Sequence, residues 1–408
     1  MKIRVVIIVI FFLNVQNVLC QKLSKEEFLL DLDFTYQNLK ESISYKTQKN
    51  KHEQVELKYL EIKNNASDSY YVIDACAELH GLVDVILDLH NSVFTSNVYY
   101  SLEDLQDTSK LDTLLKTTEG FYHFSKYNLD RLQERLRSNL TDSIEGIYYV
   151  QGVIKIGIIK CKNRYLGIIL ESQAPSWKAG EIMAYIIPEE NNCFKILAGT
   201  VTGKQLSQVR DYYNGDFFVG SNWSKEANQG KYYFPNQNLP LYFHQNINNQ
   251  TDYLRVGSFQ LSQLNNAIKF YEQVKEKRLP KNLIIDLRNN YGGNDKSSNP
   301  LLKMIKKYKG KAIILTNYST VSNAEQFTLR ASKLPNVTVM GDRTRGMLTY
   351  GINYPPKLFS PSGVFKISFT DLNDDWKEFI KYEGVGITPE IYLSNDKNWI
   401  DQVLEMLN

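Results

Sequence analysis

The sequence predicts an α/β protein, preceded by a helical region and an antiparallel β domain, and three observations carry that reading. From Tyr253 onward, short and wholly apolar runs such as "NLIIDL" and "KAIILT" alternate with amphipathic ones. Runs of the first kind mark strands buried on both faces, and strand–helix alternation implies a parallel sheet with crossover helices. From residue 24 to about 140, apolar residues recur at helical spacing, as in Leu32, Tyr36, Leu39 and Ile43. Between these regions, β-branched and aromatic runs beginning at "GIYYVQGVIKIGII" are broken by turn signals such as "EENN", "YNGD" and "FPNQN".

The elements follow in order. Lys2 and Arg4 precede the apolar run "VVIIVIFFL", and a cleavage point falls after Cys20. The run is short for a bilayer span, and Leu19 fits a lipid-modified cysteine poorly. Residues 1–20 are therefore expected to be a signal peptide, with the mature chain exported, periplasmic or secreted, and without a membrane span. A helical region is predicted over 21–142, with "ACAELHGLVDVILDLHNSV" as a buried helix running into a loop. An antiparallel β domain, barrel or sandwich, is predicted over 143–245, and the α/β domain over 246–408.

Composition narrows the function. A chain of 408 residues implies two or three domains, and the net charge of +3, without a block of Lys and Arg, excludes a nucleic-acid surface. After cleavage Cys76, Cys161 and Cys193 remain, an odd set that excludes a complete disulfide framework. Pairing of Cys161 with Cys193 and three buried thiols stand as equal readings. No Cys/His cluster has metal-ligand spacing, so neither a metal nor a cofactor is expected. Sequons at Asn139 and Asn222 occur in an Asn-rich chain, where chance produces them.

In parallel sheets chemistry gathers at the carboxyl ends of the strands. The loops there are "RNNYGGND" and "NYSTVSNAE". Ser322 has two readings. As the first residue of "SNAE" it is the N-cap of a capping box with Glu325. At a strand-to-helix turn it is also presented as a nucleophile, with the Asn323 N–H and the helix dipole facing a developing oxyanion. The tandem Gly292 and Gly293 allow close approach of backbone to substrate and supply further N–H donors.

The ordered set "LIIDLRNNYGGND", "ILTNYSTVSNAEQF", "VTVMGDRTRGMLTYG" and "YEGVGITPEIYL" resembles the tail-specific, or C-terminal processing, serine peptidases, and most of all their tricorn-like branch. The resemblance implies a ClpP/crotonase-like catalytic domain, a peptide or protein substrate and Ser322 as nucleophile. It places Met347 where the processing branch carries its lysine base, and a thioether takes no proton at neutral pH. In the tricorn-like pattern the base is a histidine, here His90 in "LDLHNS", with Asp88 and Ser92 around it and Glu383 as the orienting acid. Leu89 departs from that pattern, which has a hydroxyl residue there to bridge histidine and glutamate.

The expected function is thus an exported serine endopeptidase acting through an acyl-enzyme on Ser322. His90 is the base, and Gly292 or Gly293 with Asn323 forms the oxyanion hole. Leu89, Met347 and Asn323 favour the alternative of a weak or inactive binding protein on the same scaffold. A third reading makes the β domain a binder of small apolar ligands, which turns on whether its interior is hollow or filled.

Overall fold

The computed structural model describes residues 22–407, apart from 139, 141, 216, 227–229, 278, 354–357 and 374–375. The expected signal peptide and the Asn139 sequon lie outside the described residues. Helices α1 (Lys25–Glu41), α2 (His52–Asn64) and α3 (Val72–Val83) open the chain. Ser24 caps α1, and Phe28, Leu32, Tyr36 and Leu39 give it a buried face at helical spacing. The helix predicted through "ACAELHGLV" stops at Val83, and the chain then turns into strand β1 (Ser92–Thr95). His90 lies in that turn.

The middle region is a single eight-stranded antiparallel sheet. Its strands are β2 (Gly146–Val150), β3 (Ile154–Cys161), β4 (Arg164–Ser172), β5 (Ile182–Pro188), β6 (Cys193–Gly199), β7 (Leu206–Tyr212), β8 (Phe217–Phe218) and β9 (Trp223–Ser224). Their order is β8-β9-β2-β3-β4-β5-β6-β7, and a bridge between Tyr213 and Phe218 joins the two outer ends. Phe218 packs inside against Tyr148, Phe194, Tyr213 and Trp223. Large side chains therefore fill the interior, which removes the ground for an apolar ligand there.

The sheet also decides the cysteines. Cys161 on β3 and Cys193 on β6 are three strand spacings apart, about 14 Å. A disulfide needs Cα atoms within about 7 Å. All three cysteines are free thiols, Cys76 and Cys193 buried and Cys161 partly so.

Strands β10 (Tyr242–Asn248), β11 (Thr251–Val256), β12 (Asn282–Asp286), β13 (Lys311–Thr316), β14 (Val337–Gly341) and β16 (Ile391–Tyr392) form the second sheet. All neighbours pair in parallel except β10 with β11. Helices α4 (Leu264–Lys275), α5 (Asp295–Lys307) and α6 (Asn323–Ser332) are the crossovers. The period of two sorts the strand residues. Leu283, Ile285 and Ile314 pack under the crossover helices. Ile284, Ile313 and Leu315 face Tyr233 and Trp399 on the opposite side.

One link reaches across the chain. Strand β15 (Phe365–Ser368) pairs antiparallel with β1, placing Phe365 opposite Thr95 and Ile367 opposite Val93. Phe365, Ile367 and Phe369 join a hydrophobic cluster that also contains Leu23, Val72 and Ile158. The opening helices, the eight-stranded sheet and this late segment thus share one core. Among the described residues no helix is long and apolar enough to cross a membrane.

Candidate active site

Two loops at the carboxyl edge of the parallel sheet are tied to each other. The Asn289 N–H donates to Asn317 Oδ1 and Asn317 Nδ2 to Asn289 Oδ1, at 3.1 and 2.8 Å. The Val321 N–H donates to the Asn290 carbonyl at 3.0 Å. Asp286 and Arg288 of the "DLRNN" stretch are spent on structure, because the buried guanidinium grips the carboxylate through Nε and Nη2 at 2.9 and 2.6 Å.

Ser322 sits at φ 58° and ψ −127°, a backbone conformation that favours glycine. Its side chain sits in the capping-box position, but the Glu325 N–H donates to the Ser322 backbone carbonyl, at 2.8 Å, rather than to the hydroxyl. The other arm of the capping box is present, for the Ser322 N–H donates to Glu325 Oε2 at 3.0 Å. The acid therefore fixes the turn while the hydroxyl stays uncommitted. Glu325 is fully buried and accepts as well from Thr344 Oγ1, the Gly346 N–H and the Met347 N–H. Burial raises its carboxyl above the ordinary range, and those four donors pull the other way.

Gly292 lies against Ser322. A Cβ there would stand 2.6 Å from the Val321 carbonyl oxygen and 2.8 Å from both Asn323 N and Ser322 Cβ. Its own N–H, however, already donates to Asn290 Oδ1 at 2.9 Å. Gly293 bridges Phe259 through the flanking atoms: the Phe259 N–H goes to the Gly292 carbonyl and the Asn294 N–H to the Phe259 carbonyl. The N–H groups of Gly293 and Asn323 have no hydrogen-bond partner among the described residues. Of the two glycines, Gly293 is thus the one with a donor to spare.

His90 is held by its neighbours in sequence and by the late segment. Its N–H donates to Asp88 Oδ1 at 3.0 Å, and Asp88 Oδ2 accepts from Thr370 Oγ1 at 2.6 Å. Imidazole Nδ1 stands 3.8 Å from Asp88 Oδ1, and side-chain atoms of Asp88, His90 and Glu383 all lie within 4.8 Å of one another. The sequence reading named Glu383 as the orienting acid. Asp88, which it noted only as part of the "LDLHNS" stretch, is the carboxylate in ion-pair range of the ring. Glu383 reaches this corner through the backbone beside it, accepting from the Leu89 N–H at 3.2 Å. Leu89 thus supplies an amide where the family pattern has a hydroxyl.

Electrostatics follow from burial. Burial lowers the His90 imidazole to about 4. It lifts Asp88 to about 6, and burial with the nearby Asp88 charge lifts Glu383 to about 8. At neutral pH His90 is uncharged and able to take a proton.

The two halves of the site meet through the loop after β14. Gly346 and Met347 donate their N–H groups to Glu325, and Leu348 and Thr349 donate theirs to Glu383, at 3.0 and 2.8 Å. Four successive amides therefore span the acid behind Ser322 and the acid beside His90. No hydrogen bond joins Ser322 Oγ to His90 among the described residues. His90, Met347, Glu383 and Lys195 line one cleft of about 590 Å³. Lys195 is no substitute base, since it pairs with Asp84 and Glu189 at 2.9 and 3.3 Å.

Residues 250–310 match the family model of peptidase family S41, a family of serine-type peptidases. The matched segment runs from the turn between β10 and β11 through Gly292, Gly293 and the whole of α5, and ends just before β13. Among solved structures, the chain is similar to a candidate peptidase from Parabacteroides merdae, at 21% identity and TM-score 0.32, over 41% of this chain and 64% of that one. It is also similar to the tricorn protease, at 14% identity and TM-score 0.45, over 94% of this chain and 36% of that one. A third likeness is to mature CPAF in complex with lactacystin, at 10% identity and TM-score 0.44, over 94% and 97%. Likenesses this distant assign no role to any residue. No curated protein matches the chain.

Proposed function

We propose that this chain is an exported serine endopeptidase, a reading that the S41 match over residues 250–310 supports. The observation that carries the proposal is the unspent hydroxyl of Ser322, held on a strained turn at the start of α6 beside the unpaired N–H groups of Asn323 and Gly293. In the reaction, Ser322 Oγ attacks the substrate carbonyl carbon and its proton passes to His90. Nδ1 faces Asp88, so Nε2 is the nitrogen left for the serine. The oxyanion rests on the two free amides. His90 then gives the proton to the leaving amine, and water, deprotonated by the same imidazole, releases the acyl group and restores the serine. Asp88 balances and orients the imidazole, and Glu383 holds the backbone beside it through the Leu89 N–H. Export is proposed from the pattern of the first twenty residues.

One observation favours the alternative of a weak or inactive binding protein, namely the missing hydrogen bond between Ser322 and His90. Unliganded catalytic pairs are often long and tighten on substrate. Labelling with a fluorophosphonate decides between the two. Wild type should label and Ser322→Ala should not. A folded wild-type protein that stays unlabelled refutes the peptidase reading.

A further inference from the structure

We propose that Asp88, His90 and Glu383 form a site for a divalent transition-metal cation, zinc above all, and that the bound cation silences the enzyme by occupying His90. The second half of this statement rests on the peptidase reading; the first does not. Each residue offers one ligand atom, and the three atoms lie within 4.8 Å of one another. Among the described residues this is the one such group of three or more His, Cys, Asp and Glu. One imidazole and two carboxylates suit zinc, whereas magnesium and calcium demand more oxygen ligands.

Two further observations point to a missing ligand. His90 Nδ1 is buried without a hydrogen-bond partner, on a side chain only 9% exposed. Buried ring nitrogens are ordinarily satisfied. The two acids also lack a cation. Asp88 accepts from Thr370 Oγ1 and the His90 N–H, and Glu383 from the N–H groups of Leu89, Leu348 and Thr349, all neutral donors. Among the described residues no Lys or Arg pairs with either acid. A dication would supply the charge that this pocket lacks.

The geometry requires a modest contraction. Zinc bonds of about 2.0–2.2 Å set tetrahedral ligands about 3.4 Å apart, so the widest pair must close by about an ångström. The cleft gives the ion a path inward. The other close His–carboxylate pairs outside it, His123 with Asp74 and His244 with Asp252, offer two ligands each.

The test is calorimetric titration of zinc chloride into the whole protein, with the visible absorption of cobalt(II) as a second readout of coordination. We expect one ion per chain. Affinity should fall at least tenfold in His90→Ala and in Glu383→Gln and stay unchanged in Ser322→Ala. Zinc should also slow fluorophosphonate labelling of Ser322, and a chelator should restore it. Unchanged affinity in both ligand variants, or no saturable uptake by folded wild type, overturns the site. Binding through His90 without slower labelling overturns the silencing. Zinc bound through His90 in a protein that never labels supports the site while ending the peptidase reading.

Discussion

At the scale of single residues, Ser322 is the informative position. Its hydroxyl caps nothing, so Ser322→Ala should abolish labelling and cost less than about 0.5 kcal/mol, below the usual loss for a cap. Ser322→Gly should be equally inactive yet about 1 kcal/mol more stable, because glycine relieves the strain of φ 58°. Urea titration measures both, and a Gly variant less stable than wild type would contradict the strain. The cap was legible in "SNAE" as a pattern, but the pattern is satisfied by the backbone of Ser322 and the carboxylate of Glu325. Sequence does not distinguish a hydroxyl that is used from one held in reserve.

The same scale sets the pH behaviour. The folded pKa of Glu383, about 8, lies above its ordinary 4.5, so its contribution to stability is present below pH 4.5 and lost as pH rises through 8. His90, at about 4, lies below its ordinary 6.5, so its contribution is present above 6.5 and lost as pH falls through 4. Glu383→Gln should therefore gain on wild type between pH 5 and about pH 9, whatever its offset at pH 5. Denaturant midpoints at the two pH values check this, and a constant difference would remove the raised carboxyl. The acidic limb of kcat/KM, which reports neutral His90, should fall nearer pH 4 than pH 6.5 and vanish in His90→Ala.

At the scale of elements, the site depends on how tightly loops abut. Gly292→Ala forces a Cβ to within 2.8 Å of Ser322 Cβ at a backbone with φ 78°. The loop must retreat, and a misplacement of about an ångström is worth about 100-fold in kcat/KM. Thr370→Val removes the hydroxyl that donates to buried Asp88 at 2.6 Å. It should cost about 1–3 kcal/mol and lower kcat more than it raises KM. Wild-type kinetics in either variant would show that the loop or the acid does not matter. The βαβ elements around these loops were legible because "NLIIDL", "KAIILT" and the face of α4 carry their periods locally. The donor to Asp88 was not legible. Thr370 lies far down the chain, and only the pairing of β15 with β1 brings it near.

At the scale of the whole molecule, the N-terminal helices and the eight-stranded sheet behave as one unit closed by a late segment. Phe365 is fully buried in their shared core. Phe365→Ala should cost about 3–5 kcal/mol and lower the activity of Ser322, although Phe365 belongs to neither sheet of the site's surroundings. Thermal unfolding read by circular dichroism alongside labelling checks this, and an unaffected midpoint would detach the late segment from the core. Sequence reading divided the chain at 142 and 245 because composition changes there. It had no means to see a core assembled from both ends, since a two-strand pairing across more than 250 residues leaves no local trace.

That closure has a consequence for biosynthesis. A chain emerging from the ribosome meets its N-terminal partners long before β15 exists, so the first half waits with an apolar seam open until residue 369 has appeared. The turn bearing His90 lacks its Thr370 anchor over the same interval. On the proposed mechanism, the turn that carries the proton acceptor is therefore anchored only when translation is nearly finished.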